Sequence, residues 1–98
     1  MACCNKRRVA QRLKEAQQRV AEANQIVLFR SLRDKNPPSL SDQLLLDYHR
    51  KTHMLYAGAV SRCPLNKPLV NSIVDLHDNF VKEMLARRMK HNTPLKKV

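Results

Sequence analysis

A single glycine in 98 residues leaves nothing from which to build a glycine-rich phosphate loop, and with it goes the commonest nucleotide-binding device. Tryptophan is absent, and two Phe and two Tyr are the whole aromatic complement. That scarcity argues against single-strand nucleic-acid binding, which stacks bases on aromatic rings. Cysteine is sparse and badly spaced for bridging: Cys3 and Cys4 are adjacent and Cys63 stands alone. There is neither a C-x-x-C pair nor the even framework of small secreted domains, so a reducing, intracellular setting is expected. No apolar run approaches the roughly 18 residues of a membrane span. No apolar stretch follows Lys6-Arg7-Arg8 as a secretory signal requires. Acidic residues are also few, eight against nineteen Lys and Arg, for a formal charge of +11. A polyanion is therefore the default partner, nucleic acid first and an anionic membrane second.

What is present is helix-forming and amphipathic. Residues 1–35 carry nine basic and three acidic side chains, residues 36–80 four of each, and residues 81–98 six and one. Both ends are basic and the middle must hold the fold. An Arg-rich amphipathic start is also a feature of mitochondrial presequences, but Glu15 and Glu22 interrupt this one. A chain of this length buries only part of its apolar surface alone. We expect an all-α domain over residues 1–98, three helices per chain, with the core completed in a homodimer and a short, loose basic tail from about residue 92.

From about Lys6 to Arg33, Val9, Leu13, Ala16, Val20, Ala23 and Val27 recur at alternating steps of four and three, a heptad seam. Arg8, Arg12 and Arg19 fall off that seam together with Gln11, Gln18 and Gln25. Asn36-Pro37-Pro38 ends the helix, because Pro disfavours helical geometry in the residue before it and supplies no backbone donor. The short connection predicts an antiparallel hairpin with a second helix, which Ser39 or Ser41 caps and which runs to about Arg62. Asn66 and Pro68 then open a third helix, whose stripe is Leu69, Ile73, Leu76, Phe80 and Met84. Arg87, Arg88 and Lys90 are expected in its last turn, with Asn92-Thr93-Pro94 as the stop.

The second helix reads as two surfaces. Leu44, Leu45, Tyr48, Leu55 and Ala59 form its apolar stripe. Asp47, Arg50, Lys51, Gly58, Ser61 and Arg62 fall on another side, with Lys51, Gly58 and Arg62 nearly eclipsed. Glycine there costs the helix about 1 kcal/mol relative to Ala. Either it lets a bulky partner approach the backbone, or it relieves crowding against a neighbouring helix. Arg30, Arg33 and Lys35 favour the C-terminus of the first helix electrostatically and are equally able to touch a phosphate.

No catalytic constellation emerges, and no enzyme, cofactor or small-molecule substrate is expected. His49 and His53 are four apart, as when one helix offers two imidazoles to zinc. No acidic residue intervenes as in H-E-x-x-H, and the nearest cysteine is Cys63. His77 and His91 look isolated, so no metal site is expected. Asp75 and Asp78 look like surface charges.

At Asn36-Pro37-Pro38, Asp42 and Leu65-Asn66-Lys67-Pro68-Leu69-Val70, the order of features resembles the nodavirus RNA-silencing suppressors over roughly residues 10–76. Those proteins also have a Pro-containing turn before an Asp-bearing second helix and a Leu-x-Lys-Pro-x-Val junction opening a third. The resemblance implies an antiparallel homodimer with a four-helix-bundle core. Such a dimer lays one face along double-stranded RNA without reading sequence, shielding long duplexes from Dicer and sequestering small interfering RNAs in the host cytoplasm. It implies RNA contacts along the second helix, where Arg50, Lys51 and Arg62 are the only basic residues; with Gly58 and His53 on the same helix and Arg30, Arg33 and Lys35 before it, they make up the RNA-binding set expected here. Aligned on Lys67-Pro68, some family contact positions fall on non-basic residues such as Thr52 and Ala59. A-form RNA suits a rigid basic face, because its wide minor groove shows 2′-hydroxyls and phosphates and its base edges are hidden. Two other classes fit the composition: a basic helical subunit of an organellar ribosome, and an amphipathic protein of anionic membrane surfaces.

Overall fold

The computed structural model describes residues 2–91 and 93–98, with side chains from Arg8 onward. The side chains of Cys3 and Cys4, and the expected stop at Asn92, lie outside that description. Among the described residues there are three α-helices and no strand: α1 (Ala2–Arg33), α2 (Asp42–Arg62) and α3 (Lys67–Ala86), with a 3-10 turn at Pro37–Ser39 between the first two. At about 1.5 Å per residue, α1 is half as long again as either partner. It makes the molecule a rod of 64 × 21 × 18 Å.

The helix boundaries follow from side-chain chemistry. Ser41 Oγ accepts from Leu44 N at 3.2 Å and caps α2, and Asn66 Oδ1 accepts from Leu69 N at 3.2 Å and caps α3, with Pro68 in its first turn. The end of α3 comes earlier than its basic cluster suggests. Arg88 adopts a left-handed conformation at φ 61°, Met89 N bonds to Met84 O and Arg88 N to Leu85 O. Those two bonds are the reverse turn that closes a helix at a left-handed residue, so Arg87, Arg88 and Lys90 lie beyond α3 rather than in its last turn. Arg87 is put to structural use. Its Nε donates to Glu83, Nη1 to Asp42, and Nη2 to the carbonyls of Pro37 and Pro38, tying the end of α3 to the turn before α2.

The core lies mainly between α2 and α3. Leu45, Leu55 and Ala59 meet Leu69, Val70, Ile73, Leu76, Phe80 and Met84, with Leu32 from α1. Thr52, absent from the expected stripe, is fully buried and donates its hydroxyl to His49 O at 2.6 Å. Leu44, included in it, is 45% exposed.

α1 reverses the expected allocation of its faces. Its C-terminal half packs inward through Gln25, Phe29 and Leu32, whereas Val9, Leu13, Val20 and Val27 are 57–66% exposed. On a 3.6-residue helix, the heptad seam lies about half a turn from the side that meets the rest of the chain. Gln25, assigned to the outer polar face, is buried, and its Oε1 has no hydrogen-bond partner among the described residues.

The C-terminal residues are not a loose tail. Tyr56 donates to Lys96 O at 2.8 Å, Asn71 exchanges two hydrogen bonds with the backbone of Val98, and Lys97 pairs with Asp75 at 2.8 Å. The chain folds back along α2 and α3.

Candidate functional site

Two groups of residues stand apart from the packing. The first is the set of cations on α1 and α2. Arg30, Arg33, Lys35, Arg50, Lys51 and Arg62 are all exposed. Lys51 and Arg62 line a groove of about 600 Å³ between α1 and α2, whose wall also includes Leu28, Met54 and Leu55. Lys35 and Lys51 flank the Tyr48 ring, with their Nζ atoms 5.6 and 5.2 Å from its centroid, and Arg33 lies 5.7 Å from that of Phe29. These rings hold the cations close without neutralising them. Lys51 also approaches Asp47 at 3.2 Å, whereas Arg30, Lys35, Arg50 and Arg62 make no ion pair among the described residues.

Gly58 and His53 leave this set. Gly58 lies in the Lys51–Arg62 row, as the eclipsed spacing requires, but that row borders α1. A Cβ added at Gly58 would stand 2.6 Å from Gln25 Nε2. Its glycine therefore serves the close approach of α1 to α2, and the approaching bulk is this chain's own. His53 turns away from the row toward α3.

There it joins the second group. The i and i+4 spacing on α2 presents His49 and His53 to the same side, α3 supplies His77, and the reversal at Arg88 brings back His91. One ring nitrogen of each of the four lies within 4.8 Å of the others. The Nε2 atom of His77 is 3.2 Å from that of His49, 3.1 Å from that of His53 and 3.1 Å from that of His91, and the His49–His53 separation is 3.1 Å. His77 is almost completely buried, and its Nδ1 faces Asp78 Oδ1 at 3.0 Å. The isolation of His77 and His91 expected from the sequence is overturned, because a 14-residue separation is closed by the end of α3. These are the residues that can hold a metal ion. Burial, followed by the proximity of the other imidazoles, holds His49 down at about 4 and lowers His53 and His91 as well. These shifts favour the neutral, lone-pair-bearing form of His49, His53 and His91.

Cys63 is fully buried, and burial, reinforced by Glu22, pushes its thiol up, away from the reactive thiolate. No helix among the described residues is long and apolar enough to cross a membrane. Comparison with protein-family models, curated proteins and solved structures finds no match.

Proposed function

We propose that this chain is a sequence-independent double-stranded-RNA-binding protein acting as an antiparallel homodimer. The observation that carries the reading is the division of α1 and α2 between an apolar seam left open by the chain itself and a set of exposed cations, of which Arg30, Lys35, Arg50 and Arg62 have no carboxylate partner among the described residues, while Lys51 and Arg33 meet only Asp47 and Asp34. An open seam calls for a second helix, and unpaired cations call for a polyanion.

The seam is suited to a copy of itself. With two α1 helices antiparallel and the two-fold axis near Gln18, Leu13 of one copy faces Ala23 of the other, Val20 faces Ala16, and Val9 faces Val27. In the two central pairs a large side chain meets an alanine, the interdigitation that close helix packing favours, and a valine pair closes each end. Pairing doubles the cations along the long axis, to Arg30, Arg33, Lys35, Arg50, Lys51 and Arg62 from each copy. Such a face meets the phosphates and 2′-hydroxyls of an A-form duplex and recognises its shape. The resemblance to the nodavirus suppressors extends the reading to shielding long duplexes from Dicer and sequestering small interfering RNAs.

Charge reversal tests the face. Lys51→Glu and Arg62→Glu weaken binding to duplexes of unrelated sequence alike, and each flattens the salt dependence by about two phosphate contacts per dimer. Unchanged affinity in both variants places the RNA elsewhere.

One observation favours a second reading. The open seam of α1, with Arg8, Arg12 and Arg19 beside it, also has the form of a helix lying in an anionic membrane surface. Flotation with anionic vesicles separates the two, since a dimer that has closed its seam stays in the soluble fraction.

A further inference from the structure

We infer that His49, His53, His77 and His91 form a structural zinc site that fastens the C-terminal segment across α2 and α3. The inference stands on the geometry of the cluster and is independent of RNA binding.

Hydrogen bonds alone do not account for the cluster. The Nε2 atoms of His49, His53 and His77 lie at the corners of a triangle with sides of 3.1–3.2 Å. An N–H at one corner cannot aim at two others, and the angles fall far below those of a good hydrogen bond. His77 narrows the options further. The Asp78 carboxylate can only accept, so Nδ1 is the donor of that contact, and in the neutral tautomer this sets, Nε2 offers a single lone pair toward three neighbouring nitrogens. A cation among the four nitrogens satisfies all of them at once.

The dimensions fit a tetrahedral ion. Zinc binds imidazole nitrogen at about 2.0–2.1 Å, so adjacent ligand nitrogens in a regular tetrahedron stand about 3.3–3.4 Å apart. Four of the six nitrogen separations, at 3.1–3.2 Å, are close to that edge, and the other two, from His91 to His49 and to His53, lie within 4.8 Å. The Asp78–His77 pair is the carboxylate–imidazole arrangement that orients a metal-bound histidine and raises its basicity. Four neutral nitrogen donors without a thiolate suit zinc, whereas copper(II) favours tetragonal surroundings. With all four positions filled by the chain, none is left for a substrate, so the site is structural rather than catalytic.

The placement of the ligands gives the metal its role. His49 and His53 belong to α2, His77 to α3, and His91 to the segment after the Arg88 reversal, the only ligand outside a helix. The ion would therefore lock that segment where Lys96, Lys97 and Val98 are held against Tyr56, Asp75 and Asn71.

The test uses the full chain carrying Cys3→Ser and Cys4→Ser, so that thiol binding is not counted, titrated with zinc sulfate by calorimetry. One equivalent per chain is expected, together with tetrahedral cobalt(II) absorption and slower amide exchange at residues 93–98 on loading. His91→Ala, at a non-helical position, keeps the helical signal and lowers zinc affinity at least 100-fold. Asp78→Asn lowers it 10- to 100-fold. Absence of zinc binding at 100 micromolar overturns the proposal. So does wild-type affinity in His91→Ala, which would assign the ion to other ligands.

Discussion

Substituting Val20 by Glu tests the seam at its most informative position. Val20 is 60% exposed and contributes little to the fold of its own chain, so the variant should keep the helical content and melting behaviour of the wild type. Fully burying a valine contributes about 1.5–3 kcal/mol. The fraction still open therefore offers about 1–2 kcal/mol per copy, or about 2–4 kcal/mol for a symmetric pair. Losing it weakens association by about 30-fold to several hundred-fold. Each glutamate also brings a carboxylate toward the two-fold axis opposite Ala16, and desolvating it there adds to the loss. Sedimentation equilibrium across the micromolar range reads the effect directly: wild type at twice the mass of one chain, Val20→Glu at the mass of one. A monomeric wild type, or a variant that dimerises as well as wild type, refutes the seam as interface. Loss of helicity in the variant would also refute it, by showing that Val20 packs within its own chain.

Gly58→Val forces β-branched bulk into the space held by Gln25 and should destabilise the chain by about 2 kcal/mol in denaturant unfolding, with Gln25→Ala restoring much of it; additive effects would show that the two do not meet. Arg88→Gly removes the strain of a left-handed side-chain-bearing residue and should raise stability by about 1 kcal/mol in the same assay, and a neutral or negative result contradicts the reversal that returns His91. Metal-free protein should lose stability as pH falls. At His49, His53 and His91, both states are neutral above about 6.5; below it the unfolded chain takes up protons that these three folded rings resist, down to about 4 for His49. Thermal melts between pH 7.5 and 4 in chelator check this, and a flat profile means that the rings are not held together.

Much of the local structure is legible in the sequence. The prolines after Asn36, the caps at Ser41 and Asn66, and the stripe from Leu69 to Met84 are local signals, and local signals fix where helices begin, end and carry apolar groups. Which face meets which neighbour is another matter. The heptad of α1 is regular in spacing, yet its C-terminal half packs through Gln25 and Leu32 on the opposite side, a choice made by the hairpin partner and invisible to periodicity. Gly58 illustrates the same limit, since its place in a cationic row is periodic information and its contact with Gln25 is tertiary. The histidines are half visible. The spacing of His49 and His53 is a recognised pairing of ligands on one helix, but His77 and His91 join them only through the α2–α3 packing and the reversal at Arg88. A left-handed arginine has no sequence signature of the kind glycine supplies, so neither the end of α3 before its basic cluster nor the docking of the segment beyond it is legible in the sequence.

The most direct test of the central claim is a gel shift with the full chain at confirmed oligomeric state, comparing duplex RNA, duplex DNA and single-stranded RNA of matched length at two salt concentrations. Duplex RNA of any sequence should be retained most tightly, with affinity falling steeply as salt rises and with single strands the weakest. Equal retention of single-stranded and duplex RNA, or a preference for one RNA sequence over another, would contradict it.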